Sequence, residues 1–271
     1  MKKYLILNAK PLYLHTEMTT LNDKTLGIVL STIPISDHSQ FVHLYTEQLG
    51  RITCKVPLAS RGRRASQLRQ LMTPMTVLEL VLSGHNGTHP GSTAAGDVLQ
   101  IREANILRSP YMLTISHPDK ASQCLYMAEL IDHTVREVEP NANLWQYIMG
   151  SLEVLENLES DWANFHLVFT SGLTRLLGFF IDPDSYQPGY QLDLMEGIFT
   201  PGPVLHPFYL NAESAKWFHR MLLLDYRTLG SLTLNRAQRS ALLDMELAFL
   251  SQHIPEMGTL RSVEVLKSLF D

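Results

Sequence analysis

Arg51, Lys55, Arg61, Arg63, Arg64 and Arg69 put six cations within nineteen positions, and the nearest acid, Glu47, precedes them. Guanidinium and ammonium groups at this density neutralise phosphates, the planar arginine fork adding geometry, and they hold a nucleic-acid backbone without reading bases. Gly62 lets a backbone approach the loop closely. The bland alternative is a solvated basic loop with no partner. Upstream, Phe41, His43 and Tyr45 alternate with Val42 and Leu44. Phe41 and Tyr45 on one strand face beside such a loop could stack bases at about 1–3 kcal/mol each; the competing reading packs that face on the rest of the protein.

Other reactive types lack the spacing that catalysis needs. HNGTH at His85 to His89 sits in a glycine-rich stretch without a carboxylate ligand, and His206 and His219 are separated by a proline break, so neither gives a metal-ligand spacing. No H-E-x-x-H, P-loop, G-x-G-x-x-G or G-x-S-x-G occurs. Glu153, Glu156 and Glu159 at three-residue spacing read as a solvated helix face. Cys54 reads as a small buried hydrophobe, and with Cys124 far away there is no disulfide framework. The expectation is a protein without catalytic residues, metal or cofactor, and not an enzyme.

The elements that would position the cluster follow from hydropathy. From Thr25 to about Leu107 the segments TLGIVLSTIPI, QFVHLYTE, RITCKVPLA, PMTVLELVLSG and GDVLQIREANIL alternate or run in short apolar blocks bounded by Gly, Pro, Ser and Asp, which predicts five strands. In RITCKV the period of two sends Ile52, Cys54 and Val56 to the core and Arg51, Thr53 and Lys55 outward. A basic unit of this size suits an OB-type barrel, with an SH3-like barrel as near competitor. After Ser109-Pro110 the rhythm is helical: PDKASQCLYMAELIDHTVREV with Asp119 as N-cap, then 143–158, 161–179, 212–229, 236–253 and 262–270. Prolines and glycines between Asp182 and Leu210 forbid a long helix and leave a loop, with a short hairpin around Tyr190 to Phe199. The fold class is thus α+β and multi-domain: a basic five-stranded barrel up to residue 108, then 109–271 a helical domain with the insert at 182–210.

Charge divides at the same place. The whole chain is at -5, but residues 1–108 hold 12 Lys+Arg against 7 Asp+Glu and the remainder 10 against 20. No apolar run approaches the roughly 20 residues of a bilayer helix, and MKKYLILNAK is broken by Asn8, Lys10 and Pro11 before a leader pattern forms. We expect a cytoplasmic, nucleoid-associated protein with no membrane partner.

The order of TLGIVLSTIPISDHSQFVHLYTEQLGRITCKVPLASRGRR, LMTPMTVLEL, FHLVFTSGLTRLLGFF, YQLDLMEGIFT and SVEVLKSLF resembles the bacterial recombination mediator family RecO, closest to its Bacteroidetes branch, from about Met18 to Asp271. The resemblance implies an N-terminal five-stranded OB-fold β-barrel as the DNA-binding domain, residues 18–108, a helical C-terminal domain, residues 109–271, and a role in recombination and DNA repair. It also implies binding of single- and double-stranded DNA, strand annealing, engagement of the acidic tail of the single-stranded-DNA-binding protein, and joining RecR to help load RecA. For that tail, Arg175 with Phe179 beside Leu176 and Leu177 is the expected pocket; the plainer reading of Arg175 is an arginine solvating its helix or paired with a carboxylate. Two departures matter. Many family members carry four zinc-binding cysteines after the LGF-type helix, whereas 182–210 has none, so zinc is not carried over and Tyr186, Tyr190, Leu192, Leu194, Ile198 and Phe199 are expected to hold the insert. Residues 1–17 precede the resemblance and are expected to be a dispensable extension. The alternative function is a protein-interaction adaptor with little DNA affinity of its own.

Overall fold

The computed structural model describes residues 24–57, 68, 70–83, 98–110, 117–136 and 139–269. By contacts the chain divides into two compact units, one of residues 1–109 with 137–154 and one of residues 110–136 with 155–271.

The first unit is built on a five-stranded closed barrel. Strands β1 (Lys24–Ser36), β2 (Ser39–Thr46), β3 (Gly50–Pro57), β4 (Val77–Ser83) and β5 (Val98–Arg108) pair in the order β1-β2-β3-β5-β4. All pairs are antiparallel except β3 with β5. Closure removes the sheet edges, which leaves the inner faces of the strands to make the core. Val29, Val42, Leu44, Cys54, Val56, Leu78, Leu80 and Leu99 fill it, as the period of two requires. Cys54 is fully enclosed, and burial pushes its thiol up to about 12, so it is an inert core residue. Gly27 is needed here because a Cβ would lie 2.7 Å from Leu80 Cδ1. A bulge between Val29 and Ser31 bends β1. The Val29 N–H and C=O turn to Thr76 O at 3.0 Å and Met75 N at 2.7 Å, so the residues just before β4 complete the wall.

Six α-helices are described: α1 (Pro118–Thr134), α2 (Ala142–Asn157), α3 (Phe165–Leu176), α4 (Ala212–Leu222), α5 (Arg236–His253) and α6 (Ser262–Leu269). Most of α2 belongs to the barrel unit. In α1 the N-cap is His117, with Pro118 opening the helix, and Asp119 is in the first turn; the expected N-cap at Asp119 is corrected by two positions. There its charge favours the helix N-terminus and its carboxylate accepts the Trp162 indole N–H. Helix α4 stops at Leu222, short of Leu229. Asp225 accepts the N–H groups of Arg227 and Thr228 at 2.8 and 3.0 Å and turns the chain.

The insert folds as a three-stranded sheet in the order β7-β6-β8, from β6 (Gln191–Asp193), β7 (Ile198–Thr200) and β8 (Tyr209–Leu210). Leu192, Leu194 and Phe199 are buried, Tyr186 stacks on His219 at 4.1 Å, and Phe199 meets Tyr186 edge-on at 5.2 Å. Asp193 fastens the tip: one oxygen accepts the N–H groups of Met195 and Glu196, the other meets His206 Nε2 at 3.1 Å. Ile198 is 45% exposed, so of the residues expected to hold the insert it faces outward, one pleat away from Phe199.

Candidate nucleic-acid interface

The outer face of β1, β2 and β3 carries three cross-strand rows. Ile33, Phe41 and Lys55 form the first, Ser31, His43 and Thr53 the second, and Ile28, Tyr45 and Arg51 the third. They differ in access. In the first row Ile33 and Lys55 are exposed and Phe41 is half-buried, so an aromatic face, an aliphatic side chain and an ammonium group lie side by side. No described carboxylate pairs with Lys55. The second row is half-open, and His43 Nδ1 lies 3.2 Å from Ser31 Oγ and 3.1 Å from Arg51 Nη2. A guanidinium can only donate, so Nδ1 is the acceptor and the ring proton is on Nε2. Arg51 is thereby tied along the barrel wall rather than extended from it.

The third row is closed. Tyr45 is 1% exposed, its hydroxyl donates to Asn141 O at 3.5 Å, and its ring lies 6.4 Å from that of Trp145 on α2. Tyr45 is therefore not available to a base, which corrects its assignment as a stacking residue; Phe41 keeps an accessible face. The cover is built locally. Asn141 Oδ1 caps α2 by accepting the Leu144 N–H at 3.1 Å, and this first turn brings Trp145 onto the strand face.

Of the six expected cations, Arg51 and Lys55 are placed on this face, whereas Arg61, Arg63, Arg64 and Arg69 lie outside the described residues, as do HNGTH and residues 1–17. Lys55 is two residues from Pro57, the end of β3, and its partner Phe41 is two residues from Ser39, where the β1–β2 hairpin turns.

In the second unit Arg175 and Phe179 do meet at one cleft. The cleft is small and half-open, and is lined also by Ser171, Phe180, Phe218, Glu246 and Phe249. Arg175 is at the mouth with its guanidinium 5.6 Å from the Phe180 ring centre, a cation–π contact. Sequence reasoning missed two features here. Glu246 is buried in the cleft, although its place in the stripe Leu242, Leu243, Glu246, Phe249, Leu250 marks it as an acid on an apolar helix face. A second, smaller concavity brings Arg236, Arg239 and Ser240 of α5 together with Lys267 of α6 over Leu243 and Leu266. Among the described residues no group of three His, Cys, Asp or Glu could hold a metal, and no helix is long and apolar enough to cross a membrane.

Comparison with known proteins turns on these same segments. The family description "Recombination protein O N terminal" matches residues 18–102 and "Recombination protein O C terminal" matches residues 116–186. The DNA repair protein RecO of Bacteroides fragilis is 30% identical over 249 residues, covering 92% of this chain and 99% of its own. The chain belongs to the RecO family. RecO proteins of Phocaeicola vulgatus and Porphyromonas gingivalis are 28% and 27% identical and are covered over 98% of their lengths. The N-terminal match spans the whole exposed row and the basic segment, and in this chain the five-stranded barrel is followed by a helical region. This is therefore a DNA repair protein of the RecO family.

Proposed function

We propose that the barrel binds single- and double-stranded DNA through phosphate neutralisation and base stacking, without sequence preference and without a catalytic step. Holding a strand in this way serves annealing and, with RecR, delivery of the strand to RecA in the cytoplasm at the nucleoid. The observation that carries the reading is the exposed row of Ile33, Phe41 and Lys55, an aromatic platform beside a cation on the face from which β3 runs toward the arginine-rich segment. Sequence-tolerant single-strand binders combine these two elements, stacking and a positive track.

The salt dependence of binding tests this. With four to six phosphate contacts, the logarithm of single-strand affinity should fall against log salt with a slope of roughly -3 to -4. Arg61→Ala, Arg63→Ala and Arg64→Ala together should flatten it by about 2, and an unchanged slope would remove these arginines from the interface. Within the described row, Phe41→Ala should weaken single-strand binding by about 1–3 kcal/mol with little change in slope. Lys55→Ala should flatten the slope by roughly one phosphate's worth. Tyr45→Phe should alter neither, being covered. If Tyr45→Leu weakens binding at unchanged stability and Phe41→Ala does not, the assignment of the rows is reversed.

The cleft of Arg175 supports a second interaction, with the acidic, hydrophobic-ended tail of the single-stranded-DNA-binding protein. Aromatic walls suit an apolar terminal side chain, and a cation at the mouth suits a terminal carboxylate.

A further inference from the structure

Strand β1 outruns its cover. It pairs with β4 only from Lys24 to Ile28, and the Val29 backbone bonds to Thr76 and Met75, but pairing with β2 continues to Ser36. Thr32 to Ser36 therefore form an edge, roughly 15 Å long, to which no described strand pairs on the side away from β2. On this edge Ile33 is 46% exposed and Ile35 45%, and Pro34 between them has no N–H for a further strand. Ile33 lies beside Phe41, which is paired in turn with Lys55. The period of two puts Ile35 on the same outer face, nearer the strand end. The register slips between Pro34 and Ser36, which leaves Ile35 opposite no residue of its own on β2. An open edge is where a sheet ordinarily carries charge, and here it carries two aliphatic side chains.

We propose that Ile33 and Ile35 are an apolar wedge that presses against, and partly unstacks, the first base pair where a single strand meets a duplex. Across the sheet the order is Lys55, Phe41, Ile33, at about 5 Å per strand. A base stacked on Phe41 with its phosphate at Lys55 thus has the isoleucines on its far side. Phe41 alone offers room for one base; Ile33 and Ile35 extend the apolar surface toward a second, which at a junction is the partner base. Isoleucine, leucine and phenylalanine serve in this way in proteins that open a base step. The inference rests on the reading of the barrel as a DNA-binding surface and deepens it, adding preference for a junction. Charge favours nucleic acid as the occupant. Residues 1–108 hold 12 Lys+Arg against 7 Asp+Glu, Lys55 ends the row, and the one acid of the hairpin, Asp37, sits in the turn beyond it. The patch is also small: two half-exposed isoleucines and a half-buried phenylalanine fall far below the roughly 800 Å² per partner of a stable protein interface. In annealing, the wedge holds the duplex end at the point where the next bases pair.

Fluorescence anisotropy on the full chain at one salt concentration tests this, with a labelled single strand, a blunt duplex and a duplex carrying a single-stranded overhang. Wild type should bind the overhang duplex about fivefold or more tighter than either of the others. A 2-aminopurine at the junction base pair should brighten on binding as it unstacks. Ile33→Thr with Ile35→Thr keeps the β-branched shape that the strand favours and removes apolar surface. It should bring overhang affinity down to the single-strand level, with single-strand affinity within about twofold of wild type and the melting temperature unchanged. Ile33→Leu with Ile35→Leu should keep the preference. If the threonine pair does not fold, the two single threonine substitutions replace it, each losing part of the preference. The wedge is overturned by equal wild-type affinity for all three DNAs, by a preference that the threonine pair keeps or the leucine pair loses, or by a 2-aminopurine that stays dark. Single-strand affinity that falls in step with overhang affinity overturns it too, making the isoleucines part of the Phe41 platform with the DNA reading intact. Absence of salt-sensitive binding to any of the three removes the DNA reading itself. If the threonine pair changes only the sedimentation of the free protein, the row is a contact between copies of the chain and the wedge falls.

Discussion

Trp145→Ala is expected to lower the hydrogen-exchange protection of β2 and β3 amides by roughly a hundred- to a thousandfold, a local cost of about 3–4 kcal/mol. The indole is 6% exposed and closes the outer face of the barrel over Tyr45, which lies 6.4 Å away with the ring planes at 31°. Removing it leaves a cavity beside the buried Tyr45 ring, so the transfer and cavity costs add. Trp145→Phe keeps a ring over Tyr45 and should recover most of the protection. A loss below tenfold in the alanine variant would mean that α2 is not a necessary cover. The functional consequence separates two ideas about the same strand. If α2 is a fixed lid, Trp145→Ala weakens the barrel and leaves the exposed row of Phe41 and Lys55 as the stacking site. If single-strand affinity instead rises in the alanine variant and falls again with Tyr45→Leu, the lid is covering a base-binding tyrosine.

That distinction could not be read from the strand itself. The alternation of QFVHLYTE fixes which residues face outward, and Val42 and Leu44 do enclose the core while Phe41, His43 and Tyr45 share the other face. Whether an outward residue meets water depends on what crosses the face, and here that is a turn a hundred positions later, at Asn141 to Trp145. The barrel strands were legible to within three residues because β-branched and aromatic residues recur with period two between clear breakers. Helix α5 was legible at both ends, since Asn235 and Gln238 form a capping box whose reciprocal bonds are local in sequence. The end of α4 was not, because LLLDYRTLG keeps an apolar spacing through a turn made by the Asp225 side chain. Arg51 shows the same limit at the site: its outward direction follows from the pleat, but its hydrogen bond to His43 comes from register. The insert was legible as non-helical and as a hairpin; its third strand depends on Tyr209 pairing with Asp193, a contact without a local signal.

Two buried groups should push the stability of the chain in opposite directions as pH changes between about 4.5 and 6.5. His166 on α3 is 2% exposed with the Tyr126 ring edge-on at 6.1 Å, and burial together with the nearby Arg239 guanidinium pushes its pKa down to about 3. It is neutral when folded, while the unfolded chain takes up a proton below the ordinary 6.5. Stability is therefore complete above that pH and is lost as pH falls, at about 1.4 kcal/mol per unit, until the folded pKa is reached. Glu246 has the opposite sign. Its folded pKa is raised by burial, so its contribution is complete below the ordinary 4.5 and is lost as pH rises, because the unfolded chain releases a proton that the folded chain keeps. Between the two ordinary values the slopes run in opposite directions and offset each other. Glu246→Gln should make stability climb more steeply from pH 4.5 to 6.5; His166→Gln should remove the His166 decline below 4.5 and leave a fall that begins there. Denaturant midpoints from pH 3 to 8 on the three proteins measure this directly. An unchanged slope in Glu246→Gln across that window would mean that Glu246 is ionised in the folded protein.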